Sequence, residues 1–405
     1  MNKNNTSGRY HNPGSETALR AQPLGNITKN PASLVPRGFQ LNPQTGEITE
    51  GEDRTSKLIR AERFALQAVA RSILGKDHRT SKCMARKAPK QEIQVLRSKE
   101  HGKAHYKGLY VCARLWACPI CAAKISERRR LELVDALAVA KTKGLHVKLL
   151  TLTAPHGMGD DVNALLASIK KAWRSTTDNR AGKALRKLIG VRGTIRALEV
   201  TYGQNGFHPH LHVLLFLDQD VTNQAVERLF CPLWQDACLK AGLPRPSDAH
   251  GCRVDDGSYA AKYASKWGLE SEMTKSHTKR GKAGSMSPWD FLRVVLDDGE
   301  EAPKYRALFK VYTDAFHGQR QLHWSTGLKA LLQVNKATDE ELAVTETDEA
   351  ILLATLSTPE WRAIMHARAQ SAVLDIAEDH PEQLAAFVHT LYARHQAHLR
   401  RKMSG

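Results

Sequence analysis

The sequence predicts a domain of the α/β or α+β class at about residues 145–270. Three short stretches, rich in β-branched and other apolar residues, are typical of strands: 146–153, 193–202 and 210–217. Patterns with the apolar spacing of helices lie between and after them, at 161–176, 222–241 and 258–267. Strands that alternate with helices indicate a mixed domain of this kind.

Further helices are predicted on both sides of this domain. Residues 58–74 have apolar side chains at helical spacing, and residues 122–143 form a second helical pattern that Gly144 ends. Ser287 and Thr358 each precede a proline and open later helices, because Ser and Thr cap helices and proline is tolerated at the first position.

The 405-residue chain has a formal net charge of +18, which suggests a polyanionic partner, although such a charge can also serve solubility alone. The charge is unevenly spread. Residues 79–130 contain 14 Lys/Arg against 3 Asp/Glu, a net of +11, and residues 337–383 contain 2 against 11, a net of −9. This asymmetry points to separate functional regions.

Composition divides the chain into five expected segments. Residues 1–57 are polar, lack hydrophobic periodicity and are expected to form a mostly disordered arm. The others are a helix with a basic Cys-rich module, the mixed domain, a helical extension and an acidic, then mixed, helical C-terminal region: 58–143, 144–275, 276–335 and 336–405. The acidic region either binds a partner or is a solvated helical appendage, and we favour the appendage. With no apolar run of about 18 residues and no secretory signal, a soluble cytoplasmic protein without membrane contact is expected.

A histidine-rich strand is the most informative stretch. Side chains at i and i+2 share one face of a strand, so His210 and His212 project together. Pro209 is expected to precede the strand proper, which places His208 outside the ladder. The turn-forming residues 203–206 predict a hairpin with the preceding strand, which brings Glu199 near both histidines. Two His and one carboxylate suit Mg²⁺ or Mn²⁺ as a Lewis acid on phosphate oxygens, whereas a single His would be read as an ordinary hydrogen-bonded residue.

Two tyrosines share one face of the predicted helix at 258–267. Tyr259 and Tyr263 are four residues apart, and Lys262 and Lys266 follow each of them by three on that face. Nearby cations favour a nucleophilic phenolate, although such a pair more often packs with its rings buried and its hydroxyls in water.

The seven cysteines need not form disulfides in a cytoplasmic protein. Cys118 and Cys121 form a Cys-x-x-Cys knuckle, the usual hairpin of a structural zinc site, and Cys83 and Cys112 could complete a tetrahedron. The alternatives are buried reduced thiols or a redox pair. The remaining cysteines are expected to be ordinary packing residues: Cys231, Cys238 and Cys252. We expect this module, with Trp116 and the arginines at 128–130, to contact duplex DNA.

Three motifs in this order resemble those of the HUH endonucleases, most closely the rolling-circle replication initiators of bacterial plasmids and small single-stranded DNA phages. They are LLTLTA at 149–154, FHPHLHV at 207–213 and YAAKYASK at 259–266. Residues 318–328 are similar to a segment downstream of the catalytic core in the plasmid family, and the Cys pattern resembles its N-terminal region. The resemblance covers about residues 83–330. Tyr259 stands where plasmid members often carry a Glu, which resembles the two-tyrosine phage initiators.

The resemblance implies an α+β HUH endonuclease domain, with a central antiparallel sheet flanked by helices, and a Zn²⁺-binding Cys segment. It implies that Tyr263 attacks a single-stranded origin segment and forms a 5′-phosphotyrosine, with the metal on His210, His212 and Glu199. Tyr259 would then attack the regenerated junction, and Lys266 and Lys262 would neutralise charge. Implied partners are plasmid or phage origin DNA, as the single-stranded nick site and flanking duplex or hairpin, with a host helicase and polymerase.

Two other functions remain open at this point. A transposase of the HUH type has the same motif order, and the 318–328 segment favours the initiator over it. A relaxase is disfavoured because its Tyr usually precedes the His motif. The alternative from a different class is a non-catalytic regulator that binds DNA through the zinc module and cuts nothing.

Overall fold

The computed structural model describes residues 40–41, 48–49, 52–257, 285–344 and 349–403. The chain divides into two compact units, Met1–Arg54 and Thr55–Gly405. In the first, strands β1 (Gln40–Leu41) and β2 (Ile48–Thr49) pair in antiparallel fashion. The predicted catalytic side chains lie outside the described residues, within the segment 258–284: Tyr259, Lys262, Tyr263 and Lys266.

The second unit contains the remaining elements. Its first part comprises α1 (Glu52–Leu74), which begins at the end of the first unit, α2 (Arg79–Lys82), β3 (Ile93–Ser98), β4 (Ala104–Lys107) and α3 (Pro119–Thr142). The central part comprises β5 (His146–Leu152), α4 (Val162–Asp178), α5 (Arg180–Leu188), β6 (Val191–Gly203), β7 (Gly206–Leu217), α6 (Asn223–Lys240) and β8 (Cys252–Asp255). The last part comprises α7 (Pro288–Leu296), α8 (Ala302–Ala315), β9 (Leu322–Trp324), α9 (Leu328–Leu331), α10 (Asp339–Val344), β10 (Ala350–Leu356), α11 (Thr358–His366), α12 (Gln370–Asp379) and α13 (Leu384–Met403).

The central sheet has five antiparallel strands in the order β8-β5-β7-β6-β9. The mixed fold predicted from the alternation of strands and helices is confirmed, and so are the antiparallel sheets flanked by helices that the family resemblance implied. β6 and β7 form the predicted hairpin through the two-residue turn Gln204-Asn205. Gly206, which starts β7, has φ +85°, a left-handed conformation that favours glycine.

Helices cover both faces of this sheet. On one face, α3 packs Leu133 and Ala136 against strand residues that include Ala197 and Leu214. On the other face, apolar residues of α4 and α6 pack with strand residues that include Leu150 and Val213. Neighbours along each strand alternate between these two cores, as the period of two requires. We call them the α3 face and the α4 face.

His208 and Pro209 belong to β7, so the prediction that the strand starts after Pro209 is wrong. Pro209 is the partner of Val200, and His208 is the partner of Thr201. β5 ends at Leu152, opposite Leu211, so Pro209 has a neighbouring strand on one side only. Proline is tolerated at such an edge position because one side of the ladder needs no donor.

Helix ends differ slightly from the prediction. α1 begins at Glu52, six residues before the predicted start at Leu58. α7 has the predicted cap, since the Ser287 amide donates to the Asp290 carboxylate over 2.7 Å. The cap of α11 is Ser357 rather than Thr358, and its side chain and Glu360 form a reciprocal capping box.

The acidic C-terminal region packs against the Cys-rich module and is not a solvated appendage. β10 pairs with β3, and β3 pairs with β4, in a three-stranded antiparallel sheet. Arg60 of α1 forms ion pairs with Asp375 and Glu378 of α12. The Glu378 carboxylate also accepts from the Ala104 amide over 2.7 Å. In the part of the chain that the structure describes, no helix has both the length and the apolar character needed to cross a membrane.

Candidate metal centres and their surroundings

Glu199, His210 and His212 meet on the α3 face of the central sheet. Glu199 is the cross-strand partner of His210, and Ala197, two residues before Glu199, is the partner of His212. Side chains of partners share a face, so the three groups converge. One oxygen of Glu199 lies 3.5 Å from Nε2 of His210 and 3.4 Å from Nε2 of His212. The structure thus brings together the three side chains that the sequence placed in one site.

The outer nitrogen of each imidazole has its own partner. Nδ1 of His212 lies 3.1 Å from Oγ1 of Thr151 in β5, and Nδ1 of His210 lies 3.1 Å from the carbonyl oxygen of His208. With a proton assigned to Nδ1, both rings donate outward, and Nε2 of each ring faces Glu199. Such outer partners orient the ligands of metal sites. Thr151 belongs to the first sequence motif, but nothing in the sequence marks it as a partner of His212.

The electrostatics of the cluster favour an ionised carboxylate. Burial alone would raise the pKa of Glu199, but the charges of His212 and His210 and their hydrogen bonds hold that pKa well below its ordinary value. A carboxylate with two imidazole nitrogens is a donor set for Mg²⁺, Mn²⁺ or a related divalent cation. Ligands at about 2.1 Å from one ion lie roughly 3.0 to 3.4 Å apart. The separations of 3.4 and 3.5 Å agree with this spacing, so the residues fit a metal ion.

A second histidine pair borders this cluster. Nε2 of His156 lies 2.6 Å from Nδ1 of His208, and the other ring nitrogen of His156 lies 2.8 Å from the carbonyl oxygen of Asn205. The His208 ring also stacks on that of His210, with centroids 5.2 Å apart. Burial, with the charges of His210 and His156, lowers the pKa of His208 to about 4, so this ring is neutral at pH 7. His156 was not singled out in the sequence, because it lies in a loop far from the histidine strand.

Four buried cysteines form the second centre: Cys83, Cys112, Cys118 and Cys121. The sulfur of Cys121 lies 3.6 Å from those of Cys83 and Cys112, and the sulfur of Cys118 lies 3.7 Å from that of Cys83. Sulfurs at 2.3 Å from one tetrahedral ion are about 3.8 Å apart, so the spacing fits zinc. These thiols are not joined as disulfides. The structure therefore brings together all four cysteines selected from the sequence.

Helix ends present three of these sulfurs, and Cys112 lies in the loop before α3. Cys83 follows α2, Cys118 is the N-cap of α3, and Cys121 lies in the first turn of α3. The Cys-x-x-Cys pair therefore starts a helix and does not form the predicted hairpin, because Pro119 at the first helical position continues directly into α3. Burial, with the neighbouring sulfurs, raises the pKa of Cys118 well above its ordinary value. A bound cation is what allows such buried thiols to ionise.

Helix α1 encloses the cysteine centre. The side-chain amide of Gln67 lies 3.6 Å from the sulfur of Cys118 and donates to the carbonyl oxygen of Cys83 over 2.9 Å. Arg71 donates to the same carbonyl oxygen over 2.8 Å. Both side chains thus hold the Cys83 loop against α1, which orders the ligands independently of the ion.

The other cysteines differ from the prediction in one respect. Cys231 of α6 and Cys252 of β8 are joined by a disulfide, so these two are not simple packing residues. Their Cα atoms lie only 5.4 Å apart because α6 packs beside β8, a proximity that a separation of 21 residues does not reveal. Cys238 is buried and unbridged, as expected of a packing residue.

The basic Cys segment is partly neutralised within the chain. Arg129 pairs with Glu132 and with Asp339 of the acidic region, and Arg130 pairs with Glu127. Trp116 is half-buried, and its Nε1 donates to the carbonyl oxygen of Gln319 over 2.7 Å. A groove of about 880 Å³ runs beside it, between loop 113–117 and the segments 317–325 and 336–341.

Comparison with known proteins agrees with this picture at the level of the family. The family model described as "Replication protein" matches residues 107–371, a span that includes three of the four cysteines and the Glu199 cluster. Cys83 lies outside the matched residues.

Two individual relatives have low sequence identity to this chain. The chain is 25% identical over 331 residues to "Protein rep" of Streptomyces lividans, with 64% of this chain and 73% of the relative covered. It is 28% identical over 141 residues to "Neomycin resistance protein" of Streptomyces cyanogenus, where the match covers 29% of this chain and 32% of the relative. No solved structure matches. The family match spans well over half of the sequence, and the protein therefore belongs to the replication protein family.

Proposed function

We propose that the protein is a rolling-circle replication initiator that nicks a single-stranded segment of a plasmid or phage origin. The cut would proceed through a 5′-phosphotyrosine, and the same chemistry would rejoin strands at termination. Family membership supports a role in replication with DNA as the partner. The observation that carries the nicking chemistry is the convergence of Glu199, His210 and His212 on one sheet face.

These three side chains would hold Mg²⁺ or Mn²⁺. When bound, the ion would supply Lewis-acid polarisation of the scissile phosphate. The chain's own contribution is orientation. Thr151 and the His208 carbonyl fix the two rings, so that both Nε2 lone pairs face one point beside Glu199.

The nucleophile in this proposal is Tyr263. Its phenolic oxygen attacks phosphorus, forms the 5′-phosphotyrosine and releases the 3′-hydroxyl of the preceding nucleotide for a polymerase. Lys266 and Lys262 would favour the phenolate and balance the charge that develops on the phosphate. The phosphotyrosine retains the free energy of the phosphodiester, so the joining step needs no ATP. Tyr259 would attack the regenerated origin at termination and let the displaced strand close into a circle.

The described residues on both sides of the tyrosine segment are anchored to the sheet that carries the cluster. β8 pairs with β5, the strand that carries Thr151, and the chain is described as far as Gly257. After the segment, Met286 pairs with Tyr202 of β6, three residues beyond Glu199. The chain is thus attached to β5 before the segment and to β6 after it, and these are the two strands that flank β7. This arrangement supports the assignment of Tyr263 and Tyr259 to the same site.

We further propose that the four cysteines hold a structural Zn²⁺. The ion would join α2, the loop before α3 and the start of α3 into one module, a role that buried Cys₄ sites serve in small basic modules. The protein would act in the cytoplasm on origin DNA, as the nick site and its flanking duplex or hairpin, together with a host helicase and polymerase.

The test is formation of a covalent adduct between the full-length protein and single-stranded oligonucleotides tiled across the replicon that carries the gene. We expect wild type to form the adduct in Mg²⁺ or Mn²⁺, Tyr263→Phe to form none, and Tyr259→Phe to retain initial cleavage. Tyr392→Phe, in α13, is the matched control and should behave as wild type. Binding without cleavage by wild type would instead indicate the non-catalytic regulator. An adduct retained by Tyr263→Phe would overturn its assignment as the nucleophile.

A further inference from the structure

A cluster of basic side chains gathers where α4 passes over β6 and the segment that leads into β9. Lys170 and Arg174 are four residues apart on α4, so they lie on one side of that helix. Arg196 of β6 is the cross-strand partner of His323 in β9. Together with the residue that precedes this strand, they form what we call the cation cluster: Lys170, Arg174, Arg196, Arg320 and His323.

Two of these side chains are held in place. The guanidinium of Arg196 lies over the ring of Trp173, 5.9 Å from its centroid. The ammonium group of Lys170 donates to the side-chain oxygen of Gln319, which also ties α4 to the segment before β9. A cation that is already oriented loses less conformational entropy when it binds a ligand.

The cluster has no acidic partner among the residues that the structure describes. No carboxylate lies within ion-pair distance of Lys170, Arg174 or Arg196 there. Burial, together with the charges of Arg196 and Arg174, lowers the pKa of Lys170, and burial with the charges of Arg196 and Arg320 lowers the pKa of His323. Partly buried cations that face each other are unfavourable until an anion joins them. By contrast, the arginines of the Cys segment at 129 and 130 are paired within the chain.

The cation cluster faces away from the metal centre. Arg196 has Val213 as its cross-strand partner, and Val213 lies in the core of the α4 face. The neighbouring residue Ala197 is buried in the core of the α3 face, which carries Glu199 and the histidines. An anion at the cluster is therefore a different part of the bound molecule from the phosphate at the nick site.

We propose that the cation cluster binds the phosphate backbone of duplex DNA that flanks the nick site. This inference rests on the proposed function, because it takes the bound polyanion to be origin DNA. Lys and Arg contacts to phosphates position a protein on a duplex without reading its sequence. Trp173 is buried beneath Arg196 and offers no surface on which bases can stack, which favours a duplex over a single strand. Stacking of bases on the exposed ring of His323 is the alternative that a single-stranded probe tests.

The test uses the full-length protein with the double variant Arg174→Ala/Arg320→Ala, since both side chains are exposed and neither is needed for packing. Its control is Lys141→Ala/Lys240→Ala, which removes two exposed charges from the last turns of α3 and α6. Fluorescence anisotropy would measure binding to a mixed-sequence duplex of about 30 base pairs between about 50 and 200 mM salt. Loss of two phosphate contacts should reduce the slope of log affinity against log salt by about 1.8 and weaken binding roughly tenfold at the lowest salt. The control should bind as wild type does.

Two results would overturn the proposal. One is a double variant that binds the duplex with the affinity and salt slope of the control. The other is an equal or larger loss on oligo-dT of the same length, which would show that the cluster does not select duplex DNA. Adduct formation on a short single-stranded origin oligonucleotide separates this proposal from the proposed function. If wild type forms the adduct, the double variant should do so at the same rate. If wild type forms no adduct, the nicking proposal fails. A loss of duplex binding by the double variant, without an equal loss on oligo-dT, would still support the cation cluster.

Discussion

The hydroxyl of Thr151 lies 3.1 Å from Nδ1 of His212, and this contact joins the central strand β7 to its neighbour β5 at the candidate metal centre. The two residues are also cross-strand partners. The sheet register therefore places the hydroxyl beside the ring and fixes which nitrogen faces Glu199. The orientation of the site is thus a property of three adjacent strands rather than of the histidine motif alone.

Thr151→Val should weaken Mn²⁺ binding about tenfold, because removal of an outer hydrogen bond to a ligand typically costs 10- to 100-fold in affinity. Valine keeps the shape and the strand propensity of threonine. Titration of the purified protein with Mn²⁺, followed by calorimetry, would measure the effect. Thr153→Val is the matched control, because that hydroxyl donates to the carbonyl oxygen of His250, away from the rings. Unchanged Mn²⁺ affinity in Thr151→Val would show that the hydroxyl does not orient His212.

His212→Ala or His210→Ala should reduce divalent-metal-dependent nicking by at least about a hundredfold, because each removes a ligand of the proposed Lewis acid. The two side chains are mostly buried, with 13% and 15% exposed, so urea unfolding would first establish that each variant is folded. Nicking of single-stranded origin DNA would be measured with and without chelator. His250→Ala, an exposed histidine, serves as control. Full activity in chelator would exclude the metal role.

Purified protein should contain one equivalent of zinc per chain, and the double variant Cys118→Ser/Cys121→Ser should contain none. Loss of the ion leaves polar side chains in a fully buried site, so we expect the Cys-rich module to unfold at lower temperature or to become susceptible to proteolysis. Elemental analysis and limited proteolysis would measure both effects. Cys238→Ala, at a buried cysteine outside the cluster, should retain zinc. Zinc-free wild-type protein that is stably folded would contradict the assignment.

Glu378→Ala should lower the free energy of unfolding by about 2 to 4 kcal/mol, since it breaks a mostly buried ion pair with Arg60 and leaves the Ala104 amide without its acceptor. The matched control is Asp379→Ala. Its carboxylate pairs with Lys57 at a more exposed position, and its loss should cost less than about 1 kcal/mol. Urea unfolding would measure both. Equal effects would show that the Arg60 network adds nothing beyond a surface pair.

The central hairpin and the convergence of its three candidate metal ligands could be predicted because both depend on local information. A period of two places His210 and His212 on one face, and the turn at 203–206 brings Glu199 opposite. The set of four cysteines could likewise be predicted, since the cysteine spacing suggested the ligands. In each case the residues that carry the chemistry lie on elements whose local pattern is strong.

Contacts between distant segments could not be predicted. The pairing of β3 with β10 joins residues more than 250 positions apart, and no pattern in either strand specifies that partner. The Cys231–Cys252 disulfide and the cation cluster likewise arise from how α4 and α6 pack on the sheet. Net charge pointed to the Cys segment as the DNA-facing region, but charge counts do not show which arginines are already paired.

The β10–β3 pairing has a consequence for how proteins of this kind can exchange parts by recombination. A chain that ends near residue 335 would lose β10 and expose the edge of β3, including the buried residues Ile93 and Val95. An uncovered apolar edge invites pairing between molecules and aggregation. A crossover that replaces only one terminus would therefore combine two strands that never evolved together. The segments that carry β3 and β10 therefore need to be exchanged together, although the whole central sheet lies between them in the sequence.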